Sequence, residues 1–123
     1  MLKAFLAIFI GGGIGSCLRY AISLLLASKP AGFPVATLAA NLAGCLLIGA
    51  FYTLSEKFGW SQETRLLLTT GLCGGFTTFS TFSQESLTLF RNGMAATAIT
   101  YIVLSIILGI LLALAGSWLA SRF

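Results

Sequence analysis

Hydrophobic positions fall into four long blocks, roughly residues 4–27, 34–55, 66–90 and 94–120. Three short polar breaks separate them: Ser28-Lys29-Pro30-Ala31-Gly32, the stretch from Glu56 to Arg65, and Arg91-Asn92-Gly93. At about 1.5 Å per helical residue, each block reaches across a hydrocarbon core of about 30 Å. The pattern predicts four transmembrane helices. The third block is not uniform, because Gly74-Gly75-Phe76-Thr77-Thr78-Phe79-Ser80-Thr81-Phe82-Ser83 lies inside it. Each glycine costs a helix roughly 1 kcal/mol relative to alanine. The hydroxyls that follow compete with the helical ladder for backbone partners. Non-helical backbone at membrane depth is tolerated only inside protein or beside a water-filled cavity. The third helix is therefore expected to break mid-membrane, setting carbonyls, hydroxyls and three phenylalanines around something small and polar. That points to a conduction pathway.

Composition supports this class. Of 123 residues, 58% are hydrophobic and 8% charged, and the mean hydropathy is +1.01. Soluble domains carry about 25% charged residues, so an all-α polytopic membrane protein is expected, a single domain over 1–123. The first block is read as a retained helix. It is too long for a signal-peptide core, and Arg19-Tyr20 leads into another apolar turn and not a cleavage site. Cys17, Cys45 and Cys73 sit singly in three blocks with no histidine and no C-x-x-C pair. They are read as small packing residues and not metal ligands.

Net charge is +4, but the basic residues are scattered and form no nucleic-acid patch. With the N-terminus cytoplasmic, Lys3, Lys57, Arg65 and Arg122 lie inside and Lys29 and Arg91 outside. This bias is weak as an orientation signal. It admits insertion in both orientations, hence an antiparallel pair, and equally one fixed orientation.

Polar residues within the blocks supply the candidate chemistry. Gly11-x-x-x-Gly15 and Gly12-x-x-x-Ser16 suit close helix packing. Arg19 lies about 12 Å from the end of its block, and either snorkels to the surface or borders an anion-attracting vestibule. Thr37 and Asn41 share a helix face, and Asn41 is expensive against lipid. It either bonds a neighbouring helix or belongs to a polar pathway. Thr97, Tyr101, Ser105 and Gly109 recur every four residues, forming a track that hydrogen-bonds but does not titrate near neutral pH. Phe76, Phe79 and Phe82 are three apart. Ring edges carry positive potential, and an anion site without fixed charge is weak enough to release its ion. Glu85, the sole acid within a block, either faces a vestibule or pairs with a base such as Arg91.

The run from Gly74 to Ser83 resembles the motif of the Fluc (CrcB) fluoride channel family. Gly12-Gly13-Ile14-Gly15 with Arg19-Tyr20, Asn41 with Gly44, and the hydroxyl row of the last block extend the resemblance over the whole chain. It implies a dual-topology homodimer in the plasma (inner) membrane, with two antiparallel pores along the subunit interface. The broken third helices would cross at the two-fold axis, where backbone carbonyls of Gly74 and Thr77 hold a structural Na+. By the same resemblance, Phe79 and Phe82 supply ring edges to fluoride. Asn41, Ser80 and Thr81 are polar contacts of the pathway, Tyr101 and Ser105 form the track, and Arg19 belongs to the vestibule. The chain departs from some relatives at Gly109, where a further hydroxyl can occur.

Two other classes compete with this one. A small proton-coupled multidrug transporter needs a carboxylate deep in the membrane, and Glu85 comes late in its block. A membrane protein that merely associates through glycine faces has no use for polar rows on two helices. An enzyme fits least, because no nucleophile–base pair, metal set or phosphate loop is present. Passive export of fluoride needs no ATP motif or proton relay.

Overall fold

The computed structural model describes residues 1–27 and 32–123. The first predicted polar break, apart from Gly32, lies outside the described residues. Three helices are long and apolar enough to cross a membrane: α1 (Leu2–Leu25), α2 (Val35–Phe58) and α6 (Ala95–Ala120). Between α2 and α6 the chain runs through α3 (Gln62–Leu66), a π-helical segment (Leu67–Cys73), α4 (Gly74–Phe76) and α5 (Phe79–Arg91). The described chain is all-helical.

Helix ends follow local chemistry. α2 runs a turn beyond the apolar block, because Gly59 adopts φ 59°, ψ 46° and receives it. The Gly59 and Trp60 amides both donate to the Ser55 carbonyl, satisfying it as glycine-terminated helices do. Ser61 opens α3, its hydroxyl accepting the Thr64 amide at 3.2 Å. The α5–α6 turn uses Gly93 at φ 74°, and the Met94 amide donates back to Leu89 at 2.8 Å.

Glycine decides which helices touch. α2 packs most extensively on α6, where Gly49 meets the Ala113 backbone and Gly116 the Leu46 backbone. Thr53 and Ser117 hydroxyls bond across this seam at 2.6 Å, and Lys57 Nζ donates to the Ser121 carbonyl at 2.9 Å. α1 lies on the π-helical segment through Gly11 and Gly15, whose Cα atoms face the carbonyls of Leu67 and Leu72. Small residues at this spacing are what allow backbones to approach where lipid gives no hydrophobic drive.

α5 docks on α6 differently, through side chains. Leu89, Ala98 and Tyr101 form a buried cluster with Phe33, Leu38, Phe82 and Met94 against it. Elsewhere large apolar side chains such as Phe5, Phe9, Ile107 and Leu114 face outward, as expected where lipid is the solvent.

Candidate functional site

The sequence places the interruption within the run from Gly74 to Ser83, and the backbone locates it at Thr77 and Thr78. Gly74 and Gly75 are helical, and the helix ends after Phe76. Thr77 (φ −93°, ψ 161°) and Thr78 (φ −152°, ψ 119°) are extended. Gly75 instead serves a close approach, because the backbone of Gly12 occupies the place of its missing Cβ. Likewise, a Cβ on Gly44 would strike Thr77 Cγ2, so α2 closes on the break from the other side.

Hydroxyls stop and restart the helix. Thr77 Oγ1 donates to the Cys73 carbonyl at 2.8 Å, turning inward on its own helix. Thr78 is the N-cap of α5, its Oγ1 accepting the Thr81 amide at 3.1 Å, as preferred at helix starts. The Thr78 hydroxyl also lies 3.1 Å from Thr81 Oγ1 and 3.2 Å from Ser80 Oγ. Thr78 forms the site without standing among the candidates that the sequence suggests, although the Thr-x-x-Thr spacing signals its N-cap.

Side chains from α1 and α2 hold the break. Asn41 grips Thr78 twice: its Nδ2 donates to the Thr78 carbonyl at 3.1 Å, and its Oδ1 accepts the Thr78 amide at 2.8 Å. Arg19 Nε donates to the Gly75 carbonyl at 3.1 Å, with Ser16 Oγ at 3.5 Å. Arg19 therefore points into the protein, toward a helix end where cations are favoured. Among the described residues, the carbonyls of Gly74, Phe76 and Thr77 receive no hydrogen bond.

Two clefts flank the break. One, about 460 Å³, is lined by Asn41, Gly74, Thr77, Phe79, Phe82 and Ser105 among others. Its walls are apolar apart from a few hydroxyl and amide groups. Ser105 Oγ is buried and has no hydrogen-bond partner, a state that costs about 1–3 kcal/mol unless something small and polar meets it. Phe79 and Phe82 rings lie 5.7 Å apart at 45°, and Phe82 sits 5.2 Å from Tyr101. The second cleft, about 340 Å³, is lined by Arg19, Tyr20, Ser23, Thr78, Thr81 and Glu85 among others.

The candidate residues thus divide. Asn41, Phe79, Phe82 and Ser105 share the larger cleft with Gly74 and Thr77, while Thr81 and Arg19 share the smaller. Ser80 is exposed and lines neither. Tyr101 is 0% exposed and lies beneath Phe82, its hydroxyl donating to Glu85 Oε1 at 2.9 Å. Thr37 Oγ1 donates to Glu85 Oε2 at 3.0 Å. The Arg91 pairing offered for Glu85 is therefore replaced by two hydroxyls, from α2 and α6. No sequence signal joins Thr37 to Glu85, because they lie 48 residues apart.

The family model described as CrcB-like protein, Camphor Resistance (CrcB), matches residues 6–117. A fluoride-specific ion channel FluC of Phocaeicola vulgatus is 48% identical over 120 residues, covering 97% of this chain and 99% of its own length. The protein of the same name from Bacteroides fragilis is 47% identical over 126 residues, with 99% of each chain covered. One from Leptospira interrogans is 41% identical over 123 residues, covering 98% and 97%. A multi-pass helical membrane protein matched along nearly its whole length in this way belongs to the CrcB family.

Proposed function

We propose that the protein is a passive, fluoride-selective channel that lets cytoplasmic fluoride leave the cell and so lowers its toxicity. The observation that carries this reading is Ser105 Oγ, buried and unpartnered in the wall of the cleft that Phe79 and Phe82 also line. The relatives named above are ion channels, not enzymes. Fluoride is small and strongly hydrated, so its water is replaced only by closely spaced donors. Hydroxyls, amides and ring edges supply these without a fixed positive charge that would retain the ion. Asn41 keeps one amide N–H free after its two bonds to Thr78, and Thr81 offers a hydroxyl in the smaller cleft. Tyr101, whose one O–H is given to Glu85, supports the Phe82 ring from behind instead.

In this reading the chain from α3 to α5 is the third of four membrane crossings, with its break at Thr77 and Thr78 inside the bilayer. Phe79, 79% exposed, and the open side of the larger cleft are covered by a second, antiparallel copy in the inner membrane. The free carbonyls of Gly74 and Thr77 fit a hard monovalent cation, for which oxygen ligands are suited. A Na+ held there would supply positive charge beside an anion path through low dielectric.

The test is fluoride efflux from liposomes containing the pure protein, read by an ion-selective electrode, with valinomycin as the only counter-ion path. Rapid fluoride efflux with chloride retained is expected. Equal efflux of both anions, or flux that requires a pH gradient, rejects the channel.

A further inference from the structure

Gly12, Ser16 and Arg19 lie along one face of α1, four and three residues apart, and all three meet the same residue. Gly12 backbone fills the space beside Gly75, and Ser16 Oγ and Arg19 Nε both donate to the Gly75 carbonyl, at 3.5 and 3.1 Å. That carbonyl stands between Gly74 and Thr77 in the chain. Beyond the break, Asn41 holds the Thr78 amide and carbonyl at 2.8 and 3.1 Å. The peptide units around the break are thus tied by side chains from two other helices, while the Gly74 and Thr77 carbonyls stay unengaged.

We infer that Arg19 is a positioning residue for the cation site: by holding the Gly75 carbonyl it fixes the Gly74 and Thr77 carbonyls in the orientation that binds Na+. The inference rests on the cation reading above. It gives Arg19 a role beyond attracting anions to a vestibule, and the two roles differ in sign. Arginine is a permanent positive charge, so through Coulomb repulsion alone its removal strengthens binding of a nearby cation. If Arg19 instead orders the break, its removal weakens cation binding, because the chain must then be ordered by the ion itself.

The experiment is a sodium titration of the purified dimer at constant ionic strength, with N-methylglucamine replacing sodium. The readout is the sodium concentration giving half of the thermal stabilisation, with fluoride efflux measured at low and saturating sodium. Arg19→Met keeps an unbranched stem and removes charge and donors; Arg19→Lys keeps the charge and loses the planar Nε donor. The midpoint is expected to rise at least tenfold in Arg19→Met and less in Arg19→Lys, and saturating sodium should restore much of the lost flux. Should Arg19→Met fail to assemble, Arg19→Lys and Ser16→Ala must still show raised midpoints. An unchanged or lowered midpoint in the assembled variants overturns the inference, even if flux falls. A wild-type protein with no sodium-dependent stabilisation overturns both this and the cation reading, and its fluoride efflux then judges the channel separately.

Discussion

Tyr101, fully buried in α6, donates its hydroxyl to the Glu85 carboxylate of α5 at 2.9 Å. Thr37 of α2 donates to the other carboxylate oxygen at 3.0 Å. One acid thus joins three helices, using the acceptor-only chemistry of a carboxylate. We predict that Tyr101→Phe and Glu85→Gln each destabilise the protein by about 1.5–3 kcal/mol, the range for hydrogen bonds to charged groups. The double variant should fall short of the sum, because the two residues share a bond. A thermal-stability cycle on the purified protein measures this, and strictly additive effects would show that the bond contributes nothing.

The phenylalanines separate packing from conduction. Phe79 is 79% exposed beside the cleft, whereas Phe76 is 7% exposed and buried at the end of α4. Isoleucine keeps an apolar side chain and removes the ring quadrupole. Phe79→Ile and Phe82→Ile are predicted to lose at least tenfold of fluoride flux per assembled dimer while still assembling. Phe76→Ile should instead lose stability, about 1–3 kcal/mol through changed shape, and keep its flux per dimer. Near-normal flux in both cleft variants would falsify the ring-edge pathway.

Asn41 offers a second contrast, since its amide satisfies two backbone groups of Thr78 at once. Asn41→Leu leaves that amide and carbonyl unpaired, each at a cost of about 1–3 kcal/mol. Asn41→Asp retains the acceptor and loses the donor, and its negative charge faces the proposed anion path. Leucine is predicted to lower thermal stability more than aspartate, and aspartate to abolish fluoride flux in protein that still folds. Aspartate with wild-type flux in the liposome assay would remove Asn41 from the pathway.

At Gly49 and Gly116 of the α2–α6 seam the contacts are to backbone. Gly49→Val and Gly116→Val set methyl groups against the Ala113 and Leu46 carbonyls, neither of which has a rotamer by which to yield. Overpacking usually costs about 1–3 kcal/mol, and here it is expected to reach the upper end or prevent assembly. Gel filtration and melting temperature report it. Gly13→Ala, whose new methyl meets nothing within 4 Å beyond its own stretch of helix, is the control and should behave as wild type.

Orientation is predicted from charge. In a background lacking Cys17, Cys45 and Cys73, a cysteine replacing Lys29 should react with an impermeant thiol reagent from both sides of the membrane. Extra lysines in one loop should confine it to one side, because lysine and arginine bias sets topology. One-sided labelling of the unbiased protein contradicts dual insertion.

Hydropathy makes α1, α2 and α6 legible, because a span needs only length and apolar character. Their ends are less so: Gly59 carries α2 past the charges that end its apolar block, to Phe58. The interruption is legible as a region but not in its cause. Gly75 has the look of a helix breaker yet serves a helix–helix contact, and the residue that decides this, Gly12, belongs to another helix. That Asn41, Phe79, Phe82 and Ser105 share one cleft is an expectation of the family resemblance, since residue type alone also allows plain packing. The bond from Arg19 to Gly75 and the bridge through Glu85 follow from neither, since periodicity within one helix carries no record of which carbonyl lies opposite.

Two kinds of joint hold this fold, and they differ in compliance. At Gly11 and Gly15, where α1 meets the π-helical segment, and at Gly49 and Gly116, where α2 meets α6, a carbonyl lies directly on glycine, with no side chain between at those points to change rotamer. Where α5 meets α6, the filling is Leu89, Phe82 and Tyr101, whose torsions give. Side-chain torsions are thus available to the α5–α6 joint and not to the glycine contacts. A rotamer change at Phe82 would therefore reshape the wall of the larger cleft without displacing a helix.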